Sequence, residues 1–170
     1  SGWKNAAGGD ITDPPAIGDT HQGGIVFYLD GSGGGLIAAP TDQSTWAEWG
    51  CNGTTTGADG EAIGTGASNT TAILSGCASA GTAAEICANL TLGEYSDWFL
   101  PSKDELNLMR ENIGQGSELG LGNIFSFGNE YYWSSTEIDI ALAWQQKFGN
   151  GNQLDFYKDD QVSVRAVRAF

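Results

Sequence analysis

Histidine is nearly absent from this chain: His21 stands alone in 170 residues. One imidazole, followed by Gln22-Gly-Gly and an apolar run, fits a surface or packing role better than a general base. It also rules out any centre built on several histidines. The three cysteines, Cys51, Cys77 and Cys87, have no CxxC spacing, which argues against zinc-ribbon and thioredoxin-type chemistry. Nucleophile-elbow, zincin and EF-hand patterns are missing as well. The expectation is therefore a protein that is not an enzyme. Basic residues are equally scarce, with Lys and Arg totalling 7 against 21 acids and a formal net charge of −14. Such a field repels phosphate backbones and anionic lipid, so nucleic acid and membrane surfaces are poor partners. No apolar run approaches the ~20 residues a membrane-spanning helix needs, so membrane insertion is not expected.

Glycine and aromatic residues are plentiful. There are 26 glycines, yet 6 Trp, 5 Tyr and 7 Phe supply more to bury than a disordered chain carries. The combination describes one compact domain rich in turns and long loops. The polar, Gly-rich opening "SGWKNAAGGDITDPP" makes residues 1–16 an expected linker, with chain continuing upstream, and leaves residues 17–170 as a single domain.

Within that domain, Ile25–Leu29 and Leu36–Ala39 are β-prone segments flanking Asp30-Gly-Ser-Gly-Gly-Gly, a hairpin with a wide turn. The run lacks a GKS or GKT ending and a following helix, so it is not a phosphate loop. The span 50–66 is almost all Gly, Thr, Ala and Asp, hence a long loop. A short helical pattern begins near Asn69. Thr82 with Glu85 and Ser102 with Glu105 then form capping boxes that start two further helices. Ala83, Ile86, Cys87 and Leu90 make the buried face of one, and Leu106, Met109 and Ile113 that of the other, which Gly114 ends. Capping and the helix dipole account for the paired acids Asp104 and Glu105, and a solvated turn accounts for Asp159-Asp160. From Glu130 the pattern is strand: Trp144, Gln146 and Phe148 fall on one face, Gln145 and Lys147 on the other. "QLDFYKD" and "VSVRAVRAF" extend this to an antiparallel meander of three or four strands ending at Phe170. Helices early and strands late give α+β, with two short capped helices packed on antiparallel sheet and long Gly-rich loops. The first and last strands are expected near each other.

Cys51 and Cys77 border a loop that little else would anchor, whereas Cys87 fits an apolar helix period. A Cys51–Cys77 disulfide with Cys87 buried and free is expected, with Cys77–Cys87 as the alternative pairing. No cofactor is required by this composition. Where an ion is bound, the acidic excess favours calcium over a transition metal.

The ordered strings "GDTHQGGIVFYLDGSGGGLIAAP", "TWAEWGC", "YSDWFLPSKDEL", "YYWSSTE", "AWQQKF" and "VRAVRAF" carry a resemblance. From about Ile17 to Phe170 the chain resembles the bacterial domain family typified by the C-terminal domain of the Legionella collagen-like adhesin. It is most similar to copies on secreted or cell-surface proteins of Bacteroidetes-like bacteria. The resemblance implies a C-type-lectin-like fold and a non-enzymatic, extracellular adhesion or recognition module for a glycan or cell-surface polymer. The alternative it carries is a structural terminal domain that caps or trimerises a fibre, as a homotrimer on an upstream stalk. The adhesin binds sulfated glycosaminoglycans through basic residues, and a net charge of −14 departs from that pattern. Within the signature, Trp133, Trp144, Phe148 and Arg168 are expected as scaffold, Arg168 held by a carboxylate or backbone carbonyls. The loop from Glu137 to Leu142 and the outward residues Gln145 and Lys147 are where ligand contacts are expected. The anticipated binding surface is thus Glu137, Asp139, Gln145, Lys147, Asn150, Asn152, Tyr157 and Lys158, whose amides, acids, lysines and phenol suit a hydroxyl-rich ligand.

Overall fold

The computed structural model describes residues 3–4, 10–11, 14–115, 117–119 and 130–170. Two very short strands, β1 (Trp3–Lys4) and β2 (Asp10–Ile11), pair antiparallel inside the stretch expected to be linker, whose other residues up to 13 lie outside those described. The domain itself begins with a four-stranded sheet. β3 (Thr20–His21), β4 (Gly24–Leu29) and β5 (Gly35–Ala38) form its antiparallel core, and β11 (Val167–Ala169) adds to β5. The expected hairpin is present, and Asp30 shapes its turn by accepting the N–H groups of Ser32 at 2.7 Å and Gly34 at 3.0 Å. Gly35 has to be glycine: a Cβ there would meet the Tyr28 carbonyl oxygen at 2.1 Å and the Phe170 ring at 2.9 Å. Phe170 and Gly35 exchange backbone hydrogen bonds at 3.1 Å, so the end of the domain closes on its beginning as anticipated. His21 packs edge-on against Phe170, with ring centroids 4.6 Å apart. Burial and the nearby Arg168 charge hold its imidazole below the ordinary value, which suits packing rather than catalysis.

The second sheet has five strands in the order β6 (Ser44–Glu48), β10 (Gln161–Val164), β7 (Tyr131–Glu137), β8 (Leu142–Lys147) and β9 (Gln153–Tyr157). β7, β8 and β9 form the expected meander. The following segments do not extend it: β10 crosses to the far side of β7, pairs with it in parallel through the single bridge Ser163↔Tyr132, and runs antiparallel to β6. The chain then switches sheets between Val164 and Val167. The switch is held from outside, because the Arg165 guanidinium donates to Asp42 at 2.7 Å and to the Ala39 carbonyl at 2.9 Å. Gln43 Oε1 takes the Ala166 N–H at 2.6 Å. None of these partners is local in sequence, which is why strand patterning alone runs the meander on to Phe170.

Three helices cover the sheets. α2 (Ala83–Ala88) and α3 (Lys103–Ile113) start at the caps the sequence marks. The Ser102–Glu105 box is complete, while Glu85 reaches past Thr82 to the Gly81 N–H. α1 (Gly66–Gly76) has no side-chain cap of its own. Glu105 instead holds its start, accepting from the N–H of Gly64 just ahead of the helix at 2.8 Å and of its first residue Gly66 at 3.5 Å, as well as from Ser102 at 2.7 Å. One carboxylate thus finishes two helices, and burial pushes it above the usual range against those hydrogen bonds. Leu106, Met109 and Ile113 point inward with Phe27, Tyr132 and Phe148. A second core gathers Trp49, Trp98, Trp133, Ile37, Ile73 and Val164. The Cys51–Cys77 disulfide is formed, with Cα atoms 5.6 Å apart, and Cys87 is free and buried, its thiol pushed up by desolvation. The α+β class with helices on antiparallel sheet is borne out, and the architecture is consistent with a C-type-lectin-like fold. No helix among the described residues is long and apolar enough to cross a membrane.

Candidate binding surface

The eight residues anticipated as ligand contacts do not come together. Glu137 and Lys158 are buried, their carboxylate and ammonium 2.6 Å apart with 3% and 0% of the side chains exposed. Glu137 also accepts the N–H groups of Thr56 at 2.8 Å and Gly57 at 2.9 Å, and Lys158 Nζ donates to the Thr54 carbonyl at 2.8 Å. Lys158 lies over the Trp49 ring at 4.8 Å. Burial alone would raise the Glu137 pKa, but the Lys158 hydrogen bond and the Thr56 and Gly57 amides outweigh it and hold the carboxyl below the usual range. The pair fastens the Gly/Thr loop after β6 to the β7–β8 and β9–β10 connections, so it is framework and not ligand surface. A charged residue in a polar stretch looks solvated in sequence because its partner is twenty-one residues away.

Gln145 corrects a second expectation. It is 1% exposed, facing the core, while Trp144 is only half-buried, with Lys103 of α3 3.9 Å above its ring. Both faces of β8 are thus buried: Gln146 and Phe148 face inward as expected, but Gln145 on the opposite face is buried as well and Trp144 is not. The reason is that both faces are covered, one by the tryptophan core and the other by α3, and alternation then loses its meaning. Gln146 is buried too, donating to Asn107 at 2.7 Å on α3. Trp133, Phe148 and Arg168 do serve as scaffold. Trp133 Nε1 donates to the Ala47 carbonyl at 2.8 Å, and Arg168 binds the Asp97 carboxylate and the Gln22 amide oxygen over the Tyr95 ring.

Of the rest, Asp139 and Asn150 form turns. Asp139 accepts the Ala141 and Leu142 N–H groups, both at 2.8 Å, and Asn150 that of Asn152 at 3.0 Å. Tyr157 is well exposed beside the Asp139 turn. Asn150, exposed Asn152 and Lys147 sit at the other end of β8, a strand of six residues, hence roughly 17–20 Å away. Lys147 itself lies 5.3 Å over the Tyr131 ring.

Tyr131 leads to a site that the alternation pattern missed. Between Ser44 and Ala47, β6 uses three steps where β10 uses two from Val162 to Val164, a β-bulge at Thr45-Trp46 opposite Ser163. The bulge turns Trp46 outward to 74% exposure, and Ser44 Oγ accepts the Trp46 N–H at 3.1 Å. Below the Ser163↔Tyr132 bridge, β10 and β7 have no further registered pairs. The gap is a shallow pocket of about 120 Å³ lined by Thr45, Trp46, Glu130, Tyr131, Gln161, Val162 and Ser163. Tyr131 forms its inner wall, packed on Phe156 with centroids 5.1 Å apart. Behind it on the other face of β7, Tyr132 donates to Asp42 at 3.0 Å, the same carboxylate that binds Arg165 at 2.6 Å. An exposed indole, a half-buried phenol and a ring of hydroxyl, amide and carboxylate groups can stack on a flat apolar face while hydrogen-bonding hydroxyls at its edge. The sequence signal was available in "STWAEWGC", where Ala47 and Trp49 share the inward phase and Trp46 is left outside it. Among the described residues, no group of three His, Cys, Asp or Glu side chains is placed to hold a metal ion.

Among family models, that of the Lcl C-terminal domain matches residues 39–168. No curated protein matches the chain.

Proposed function

As this chain belongs to the Lcl C-terminal domain family, a family of adhesin-associated terminal domains, we propose that it is a non-enzymatic extracellular recognition module that binds a neutral glycan or similar hydroxyl-rich surface polymer on the Trp46–Tyr131 pocket. The observation that carries this reading is Trp46. A bulge holds a large indole at 74% exposure beside an aromatic-walled cleft, where a partner can cover it. The net charge of −14, with Glu130 in the pocket lining, supports a neutral ligand over a sulfated one. We propose that no cofactor takes part in binding, and that an ion, where one contributes, is calcium. The test is a glycan array run with and without calcium on the wild type and Trp46→Ala. Neutral hits lost in the variant, at unchanged melting temperature, support the reading. Hits confined to sulfated glycans, or indifferent to the substitution, contradict it.

A second reading, a terminal domain that trimerises, draws on a different patch. Ile138, Ile140 and Tyr157 are 38%, 54% and 59% exposed on the β7–β8 loop and the facing end of β9. Sedimentation of the wild type against Ile140→Glu tests it, a trimer dissolved by the charge being the supporting result.

A further inference from the structure

Gln145 is the one described residue whose side chain is buried with neither amide atom hydrogen-bonded; Gln146 lacks a partner only for its oxygen. A buried, unpaired amide destabilises the fold, and a side chain with no structural return for that cost calls for another explanation. Its place in the sheet supplies one. Gln145 faces the core between Trp133 on β7 and Leu154 on β9, directly across from both. Its diagonal neighbours on the same face are Tyr131 and Phe156, the rings that pack against each other at 5.1 Å. Tyr131 is at once the inner wall of the Trp46 pocket and one of the two rings flanking the orphaned amide.

We propose that Gln145 is the concealed half of the binding site. When an oligosaccharide stacks one unit on Trp46 and reaches across β10 and β7, Tyr131 turns away from Phe156, and the Gln145 amide donates to and accepts from adjacent hydroxyls of a following unit. This rests on the recognition reading above and deepens it: the ligand class becomes an oligosaccharide with vicinal hydroxyls, bound by an aromatic gate that opens onto an amide. The free protein keeps the amide covered, so it is less stable than its composition allows, and ligand relieves that deficit.

The test uses Gln145→Met, close in volume and without polar atoms. Melting temperature is measured without ligand. Affinity is measured by calorimetry with soluble oligomers of glucose, of mannose and of N-acetylglucosamine. The variant is expected to melt several degrees higher than the wild type and to bind its best oligomer at least tenfold more weakly. Trp46→Ala is expected to lose binding with no gain in melting temperature. A lower melting temperature for Gln145→Met means the amide is satisfied in the free protein, as by a buried water, and overturns the proposal. Unchanged affinity in Gln145→Met alongside loss in Trp46→Ala overturns it too while leaving the recognition reading standing. If no oligomer binds the wild type, or Trp46→Ala binds as well as wild type, both fall.

Discussion

Two polar sites border the same three-stranded meander and are built on opposite terms. At the β7–β8 loop, Glu137 and Lys158 are buried, and each is engaged by its partner and by loop backbone groups. In the middle of β8, Gln145 is equally buried and its amide makes no hydrogen bond, while half-buried Tyr131 lies one strand away on β7 and exposed Trp46 three strands away on β6. A closed network is what a fold needs to hold a loop without secondary structure. An open one, at a bulge and a strand gap, is what a ligand needs. Burial and charge alone do not tell the two sites apart; hydrogen-bond satisfaction does, and it is the basis of the proposed role for Gln145.

Breaking the closed site should produce the largest effect. Lys158→Met leaves Glu137 buried beside no cation, and such a loss costs about 3–5 kcal/mol. Urea unfolding should show it, and Lys158→Met with Glu137→Leu should recover a good part, since no charge is then stranded. Opening the neighbouring Cys51–Cys77 closure by replacing both cysteines with serine should cost about 3 kcal/mol through loop entropy. Non-reducing peptide mapping checks the pairing at the same time.

A pH series sharpens the comparison. The folded Glu137 carboxyl sits below its unfolded value, so its contribution is fully present above the ordinary glutamate pKa of about 4.3 and is lost as pH falls through the folded value. Glu105 is pushed the other way and takes its proton before the unfolded chain does, which opposes that loss. Stability measured from neutral pH downward should therefore fall below about pH 4 in the wild type and less steeply in the Lys158→Met, Glu137→Leu double variant. The smallest stability effect belongs to the open site: Trp46→Ala should shift unfolding by less than about 0.5 kcal/mol while removing binding.

The chain announces its local devices well. The Asp30 turn, the Ser102–Glu105 box and the inward faces of α2 and α3 follow from residue type and spacing within a few positions, and the Cys51–Cys77 pair from the loop it anchors and the helix period that claims Cys87. What it conceals is set by distant partners. α1 begins at Gly66 because Glu105 caps it from another helix, and β11 leaves the meander because Asp42 and Gln43 hold the turn between sheets. The proposed binding residues are half legible. Lys147 lies beside the pocket through Tyr131, but Glu137, Lys158 and Gln145 look solvated only while their surroundings are unknown. Trp46 falls on the outward phase set by Ala47 and Trp49, and what the sequence conceals is the bulge that gathers Thr45 and Trp46 beside the gap between β10 and β7.

Trp46 is the indole proposed to meet ligand, and the six tryptophan indole N–H signals of an amide-correlated spectrum test that directly. The Trp49 and Trp133 indoles already donate to the Ser134 and Ala47 carbonyls at 3.0 and 2.8 Å and should stay in place. On titration with a neutral oligosaccharide that binds, the signal missing from Trp46→Phe is predicted to move first and furthest. Saturable binding that leaves that signal still, or shifts only the other five, contradicts the account.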